Sequence, residues 1–165
     1  MADDKQIGKG QEGKMKSLNM VVVDDCFDID NGIANKQDYL MEIFKSENNN
    51  LFHFTNIGYQ SYFVNDQIIA SMEKMKFDCY RLGHFKHNLA ETEVILRDAD
   101  LISFDVSSLK QSEAPGRCLA SPNGFYSEEI CQIARYAGIS DKLSSFGFYE
   151  LNPSFDQNNQ SAMLF

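Results

Sequence analysis

Basic residues are scarce in this sequence, and their scarcity constrains its partners first. Its 165 residues carry 15 Lys and Arg against 24 Asp and Glu, a net charge of −9. A nucleic-acid or anionic-membrane partner needs clustered Lys and Arg, so both are disfavoured. The acidic balance is either a solvated surface or a means of holding cations, and composition leaves both open. Cysteine offers no metal or redox motif. Cys26, Cys79, Cys118 and Cys131 include no pair at CxxC spacing and no Cys/His cluster of zinc type. Cys79 and Cys131 fall in apolar stretches and read as reduced core thiols. The N-terminus lacks the apolar run of a secretory leader, and nothing approaches the roughly 18 apolar residues of a membrane span. A soluble, cytoplasmic protein is expected. Internal repeats are absent, and nothing suggests a second domain.

What is present is a regular alternation of apolar strands and amphipathic helices. Residues 1–17 are polar, Gly/Lys-rich and without period, and are expected to form a loose arm or a poorly anchored first helix. Residues 18–165 read as one α/β domain. Strands are expected at Leu18–Val23, Leu51–Ile57 (closing at Gly58), Phe77–Leu82, Leu101–Val106 and Ser144–Tyr149. Helices are expected at Lys36–Lys45, Asp66–Met75, Leu89–Arg97 and Ser127–Tyr136, with a last one starting at Gln157. Ser127 is expected to cap its helix, with Glu128 and Glu129 in the first turn and Gly138 at its end. Strands separated by helices imply a mainly parallel sheet between two helical layers, a three-layer α/β/α fold.

In an open parallel sheet, ligands bind beyond the carboxyl ends of the strands. The first strand ends in Val23-Asp24-Asp25-Cys26-Phe27-Asp28, the fourth in Ser103-Phe104-Asp105 and the fifth in Phe148-Tyr149-Glu150. Neighbouring parallel strands lie about 4.8 Å apart, so carboxylates on one rim can converge on one cation. A lone Asp at a strand end more often begins a turn or caps a helix; three on one rim raise the functional alternative to equal standing. A phosphate-binding Gly-rich loop would mark a nucleotide domain, and Asp24-Asp25-Cys26-Phe27 is no such loop. His53, His84 and His87 read as structural or surface residues, and the thirteen Phe and seven Tyr as packing.

Four segments, in order, resemble the ureohydrolases: the arginases, agmatinases and formimidoylglutamases. The run Ser103-Phe104-Asp105-Val106-Ser107-Ser108-Leu109-Lys110-Gln111-Ser112-Glu113-Ala114-Pro115-Gly116 is similar to the family signature S-x-D-x-D-x-x-D-P-x-x-A-P-G. It matches without gaps at Ser103, Asp105 and Ala114-Pro115-Gly116. Val23-Asp24-Asp25-Cys26-Phe27-Asp28 resembles the upstream V-D-A-H-x-D. Glu150-Leu151-Asn152-Pro153 resembles the downstream E-V-N-P, and Asn123-Gly124-Phe125 the G-G-L turn before a helix. The bacterial formimidoylglutamase branch looks closest. The resemblance implies an arginase-like fold, here incomplete at both ends, and hydrolysis of a linear amidine C–N bond in a small formimidoyl or guanidino substrate. It also implies a manganese pair that activates water. Asp24, Asp28 and Asp105 would be metal ligands, with Asp105 at the catalytic centre, and Glu150 would face the cationic end of the substrate. It leaves a homo-oligomer open.

The departures from the pattern are specific. Cys26 stands where the family has a metal-binding His, and Ser107 where it has a second Asp, so both are weaker ligands. Lys110 replaces a third Asp, and it is expected to put its ammonium beside Asp105 in a metal's place. No histidine occurs in residues 1–17 or between 29 and 52. The same chain is therefore also readable as a degenerate relative with a binding or structural role.

Overall fold

Leu18–Val23, strand β1, ends in three valines, Val21–Val23, because both its faces are covered there. Met20 and Val22 point to one face and Val21 and Val23 to the other, as the two-residue period of a strand requires. The computed structural model describes residues 17–29, 39–46 and 50–165. All but residue 17 of the expected N-terminal arm, and the first turn of the helix expected from Lys36, lie outside them.

The other strands are β2 (Leu51–Tyr59), β3 (Asp78–Arg81), β4 (Leu101–Asp105) and β5 (Ser145–Tyr149). All neighbours are parallel, in the order β3-β2-β1-β4-β5. Helices α1 (Tyr39–Lys45) and α2 (Asp66–Lys74) bury Leu40 and Met72 against one face, with Phe54. Helices α3 (Leu82–His87), α4 (Thr92–Arg97) and α5 (Ser127–Ile139) bury Phe85, Leu96, Ile130 and Ile133 against the other, with Phe104 and Phe125. A last short helix, α6 (Gln160–Leu164), follows β5. The structure is thus the expected parallel three-layer fold.

Several local expectations are corrected. β2 does not close at Gly58 but runs through it, with φ +107° and a register shift against β3. A Cβ there would sit 2.9 Å from the Phe125 ring and 3.3 Å from the Asp24 carbonyl, so only glycine lets the strand pass. The segment expected as one helix from Leu89 begins with a 3₁₀ turn, Leu89–Glu91. Tyr126, not Ser127, is the N-cap of α5: the Glu129 carboxylate accepts the Tyr126 N–H at 2.8 Å, while the Ser127 hydroxyl donates to Glu113. Gly138 does not end α5, which continues to Ile139. Cys131 is exposed rather than core, because one residue past Ile130 the helix has turned about 100° away from the buried stripe; Cys79 is half-buried.

The loop after β4 is fastened to the turn before α5. Phe125 N–H donates to the Ser108 carbonyl at 2.8 Å and Lys110 N–H to the Phe125 carbonyl at 3.1 Å. A Cβ on Gly124 would lie 2.5 Å from both Leu109 C and Lys110 N, and backbone cannot yield as a side chain can. Gly124→Ala is expected to lower the unfolding free energy by roughly 3 kcal/mol in a urea titration. Gly138→Ala has open space within α5 and should raise it by up to about 1 kcal/mol. Equal effects at the two positions would refute the pinned-loop account.

Candidate functional site

Strands β1, β4 and β5 are consecutive in the sheet, so their carboxyl ends form a continuous rim. Asp24 and Asp25 follow β1 directly, Asp105 is the last residue of β4, and Glu150 follows β5. Carboxylate oxygens of Asp24, Asp28 and Asp105 all lie within 4.8 Å of one another. The three metal-ligand candidates are therefore brought together. Asp24 and Asp105 are buried, and Asp28 is half-buried.

Such crowding costs free energy when all the groups are charged. Burial above all, then the Asp28 charge, pushes Asp24 from 3.8 up to about 7. Burial and Asp105 push Asp28 to about 7, and burial and Asp24 push Asp105 to about 8. A hard divalent cation among three oxygens would remove this penalty, so the set fits one such ion.

Ser107 binds the cluster together. Its N–H donates to Asp105 Oδ1 at 2.7 Å, and its hydroxyl donates to Asp24 Oδ1. Asp24 Oδ1 also accepts the Cys26 N–H at 3.3 Å, and the Cys26 Sγ lies 3.9 Å away. Burial and the surrounding Asp24, Asp25 and Asp28 push the Cys26 thiol upward, which keeps it protonated. A protonated thiol and a donating hydroxyl are poor ligands for a second hard cation. These donors do not fit a pair of ions.

A cavity of about 490 Å³ opens beside the cluster. Asp28, Asp105 and Glu150 give it an acidic end, and Met20, Ile43 and Leu101 an apolar wall. Tyr39 and Ser103 also line it.

Lys110 does not pair with Asp105. Its Nζ sits 3.8 Å from the centre of the Tyr126 ring, a cation–π contact. The pinned loop aims it away from the sheet edge and toward α5. Arg117 supplies the local cation instead, with Nη1 3.5 Å from Asp25 Oδ2 and Nη2 3.5 Å from Glu150 Oε2. Neither Arg117 nor Asp25 stood out in the sequence. Position 117 directly after Ala114-Pro115-Gly116 was the available signal, yet a loop arginine gives no sign that it will be buried. The histidines stay out of the cluster: His53 pairs with Asp78 at 3.0 Å and His84 with Glu91 at 2.9 Å, both exposed.

Comparison with known proteins bears on the fold and the family. The profile of the arginase family matches residues 14–165. Formimidoylglutamase of Staphylococcus haemolyticus is 31% identical over 74 residues, 44% of this chain and 24% of that protein. The structure of formimidoylglutamase from Bacillus subtilis superposes with a TM-score of 0.76 at 17% identity, covering 89% of this chain and 49% of that one. Formiminoglutamase of Trypanosoma cruzi, solved with two Mn²⁺, gives 0.76 at 17% identity over 90% of this chain and 52% of that one. Arginase from Bacillus caldovelox gives 0.72 at 17% identity, covering 88% and 57%. The chain thus spans about half the length of these solved structures, and the matched stretch spans about a quarter of the curated relative. A profile match over nearly the whole described domain, on a fold shared with formimidoylglutamases and an arginase, shows that the chain belongs to the arginase family.

Proposed function

We propose that this chain carries the site of a cation-dependent amidine hydrolase, acting on the C–N bond of a small formimidoyl or guanidino substrate. The observation that carries this reading is the convergence of Asp24, Asp28 and Asp105 beside a cavity of about 490 Å³ that Asp28 and Asp105 line. Asp24, Asp28 and Asp105 would hold a divalent ion, manganese by family. Bound there, such an ion supplies the Lewis acidity that makes water nucleophilic at neutral pH. The chain's own groups do the rest. Ser107 fixes the orientation of Asp24 and Asp105 by its two hydrogen bonds. Glu150, on the cavity wall, offers its carboxylate to the cationic end of the substrate. The apolar wall of Met20, Ile43 and Leu101 limits water beside the reacting carbon. The free thiols of Cys26, Cys79, Cys118 and Cys131 support a reducing, cytoplasmic setting.

A second reading, a relative without turnover that binds or scaffolds, is favoured by one observation. The Ser107 hydroxyl and the Cys26 thiol stand in ligand positions as hydrogen-bond donors to Asp24. The two readings separate in one assay. The manganese-loaded protein is incubated with formimidoylglutamate, agmatine and arginine, and release of formamide, ammonia or urea is followed. Asp105→Asn is expected to retain its fold by circular dichroism and to lose about 10²–10³ in rate, as removal of a group stabilising transition-state charge does. Absence of release from the wild-type chain, together with no bound metal by elemental analysis, would establish the second reading.

A further inference from the structure

We propose that Arg117 is a built-in competitor for the cavity's cation-binding carboxylate, so a small amidinium or guanidinium ligand binds at Glu150 only by displacing it. The inference rests on the reading of the cavity as a cation site and adds the residue that sets its affinity for cations. Glu150 lines both the acidic cavity and a second cavity of about 420 Å³ that contains Arg117, Leu151 and Asn152. It is the wall between them, and Arg117 reaches it from the far side.

The backbone places Arg117 firmly. Gly116 N–H donates to the Ser161 hydroxyl at 2.8 Å, and the Gly116 carbonyl accepts the Asn152 N–H at 2.7 Å. A Cβ on Gly116 would lie 2.8 Å from Leu151, so the two loops are in close contact. This contact sets Arg117 beside the segment that carries Glu150, itself held at φ +61°. The side chain is only 13% exposed.

The head group is held less tightly than its position suggests. Both ion pairs are 3.5 Å long, against about 2.8 Å for a well-formed charge-assisted hydrogen bond. Nη1 is buried and makes no hydrogen bond among the described residues. A guanidinium is always charged and offers five donors, so its directional capacity here is largely unspent. A ligand that presents two N–H groups edge-on to Glu150 would make the better pair. The released Arg117 would keep Asp25 as partner. The cost of that displacement falls on every cationic ligand, so Arg117 lowers affinity for guanidinium and amidinium groups alike.

Isothermal titration of the metal-free chain with agmatine tests this without requiring turnover. Arg117→Gln is expected to bind agmatine at least roughly tenfold more tightly than wild type, about 1.4 kcal/mol. The gain should vanish in Arg117→Gln/Glu150→Gln. A second measurement uses Arg117→Ala, which leaves a guanidinium-shaped hole. Low-millimolar guanidinium should raise its melting temperature, or refold it if it is unfolded, while sodium at equal ionic strength does not. A purely structural clamp predicts lost stability with no gain in agmatine affinity. A folded Arg117→Gln chain with unchanged or weaker agmatine binding overturns the proposal, as does an Arg117→Ala chain indifferent to guanidinium. Loss of hydrolysis with gained cation binding would instead sink only the enzymatic reading.

Discussion

Raising the pH of the metal-free protein from about 4 to 8 is expected to lower its unfolding free energy by several kcal/mol. The sign follows from the direction of the shifts. Asp24 and Asp28 are raised from 3.8 to about 7, and Asp105 to about 8. Between these limits the folded chain binds more protons than the unfolded one, so stability falls as pH rises. The contribution is fully present below pH 3.8 and is lost on passing through 7 to 8. One such carboxyl titrating alone would contribute on the order of 4 kcal/mol, at about 1.4 kcal/mol per pH unit of displacement. The groups repel and share protons, so the sum is well below three times that value. Glu113 and Asp156, both lowered, oppose the trend only near and below their ordinary range. Against a typical domain stability of 5–15 kcal/mol, roughly, the loss is large. Manganese should reverse it, because the ion binds the ionised cluster and its stabilisation grows with pH. Urea titrations at pH 5 and pH 8, with and without manganese, decide the matter. A metal-free chain more stable at pH 8 than at pH 5 would refute the buried-cluster account.

The sheet was legible in the sequence because buried parallel strands write themselves as unbroken apolar runs. β1 lies where Leu18–Val23 said it would, and its valines are buried on both faces. The acidic rim was legible for a related reason: an acid that ends an apolar strand must stand at the sheet edge. Asp24, Asp105 and Glu150 each sit at such an end. What stayed hidden was set by packing between distant segments. Arg117 reads as an ordinary loop arginine until Gly116 is seen pressed against Leu151 and Ser161. Lys110 resembled a cation aimed at Asp105, but the backbone pairing of Lys110 with Phe125 turns it toward Tyr126. Helix α3 was missed because Leu82–His87 is a six-residue turn after a strand, too short to show a period. Ser127 looked like a cap because its type is right for one; Glu113, fourteen residues away in the chain, takes its hydroxyl instead.

The wild-type chain is expected to bind one manganese ion, and Cys26→His/Ser107→Asp to bind two. Ser107 holds its two neighbours by different groups, and only one of these survives substitution. Its N–H to Asp105 belongs to the backbone and remains. Its hydroxyl to Asp24 occupies an acceptor oxygen that a second ion would need. An Asp at 107 removes that donor and adds a hard oxygen ligand; a His at 26 replaces a protonated thiol with a nitrogen that binds divalent ions readily. Alone, the extra buried charge destabilises the metal-free chain, so the variant should be folded with manganese and weakened without it. Moving the second site from millimolar or weaker to micromolar affinity corresponds to about 4 kcal/mol. Equilibrium dialysis counts the ions, and electron paramagnetic resonance distinguishes an isolated Mn²⁺ from an exchange-coupled pair, both without reference to turnover. Two ions on the wild-type chain would show that Ser107 yields its hydrogen bond and ligates. A single ion on a folded double variant would place the obstacle elsewhere on the rim, with the Arg117 guanidinium beside Asp25 as a positive charge to remove.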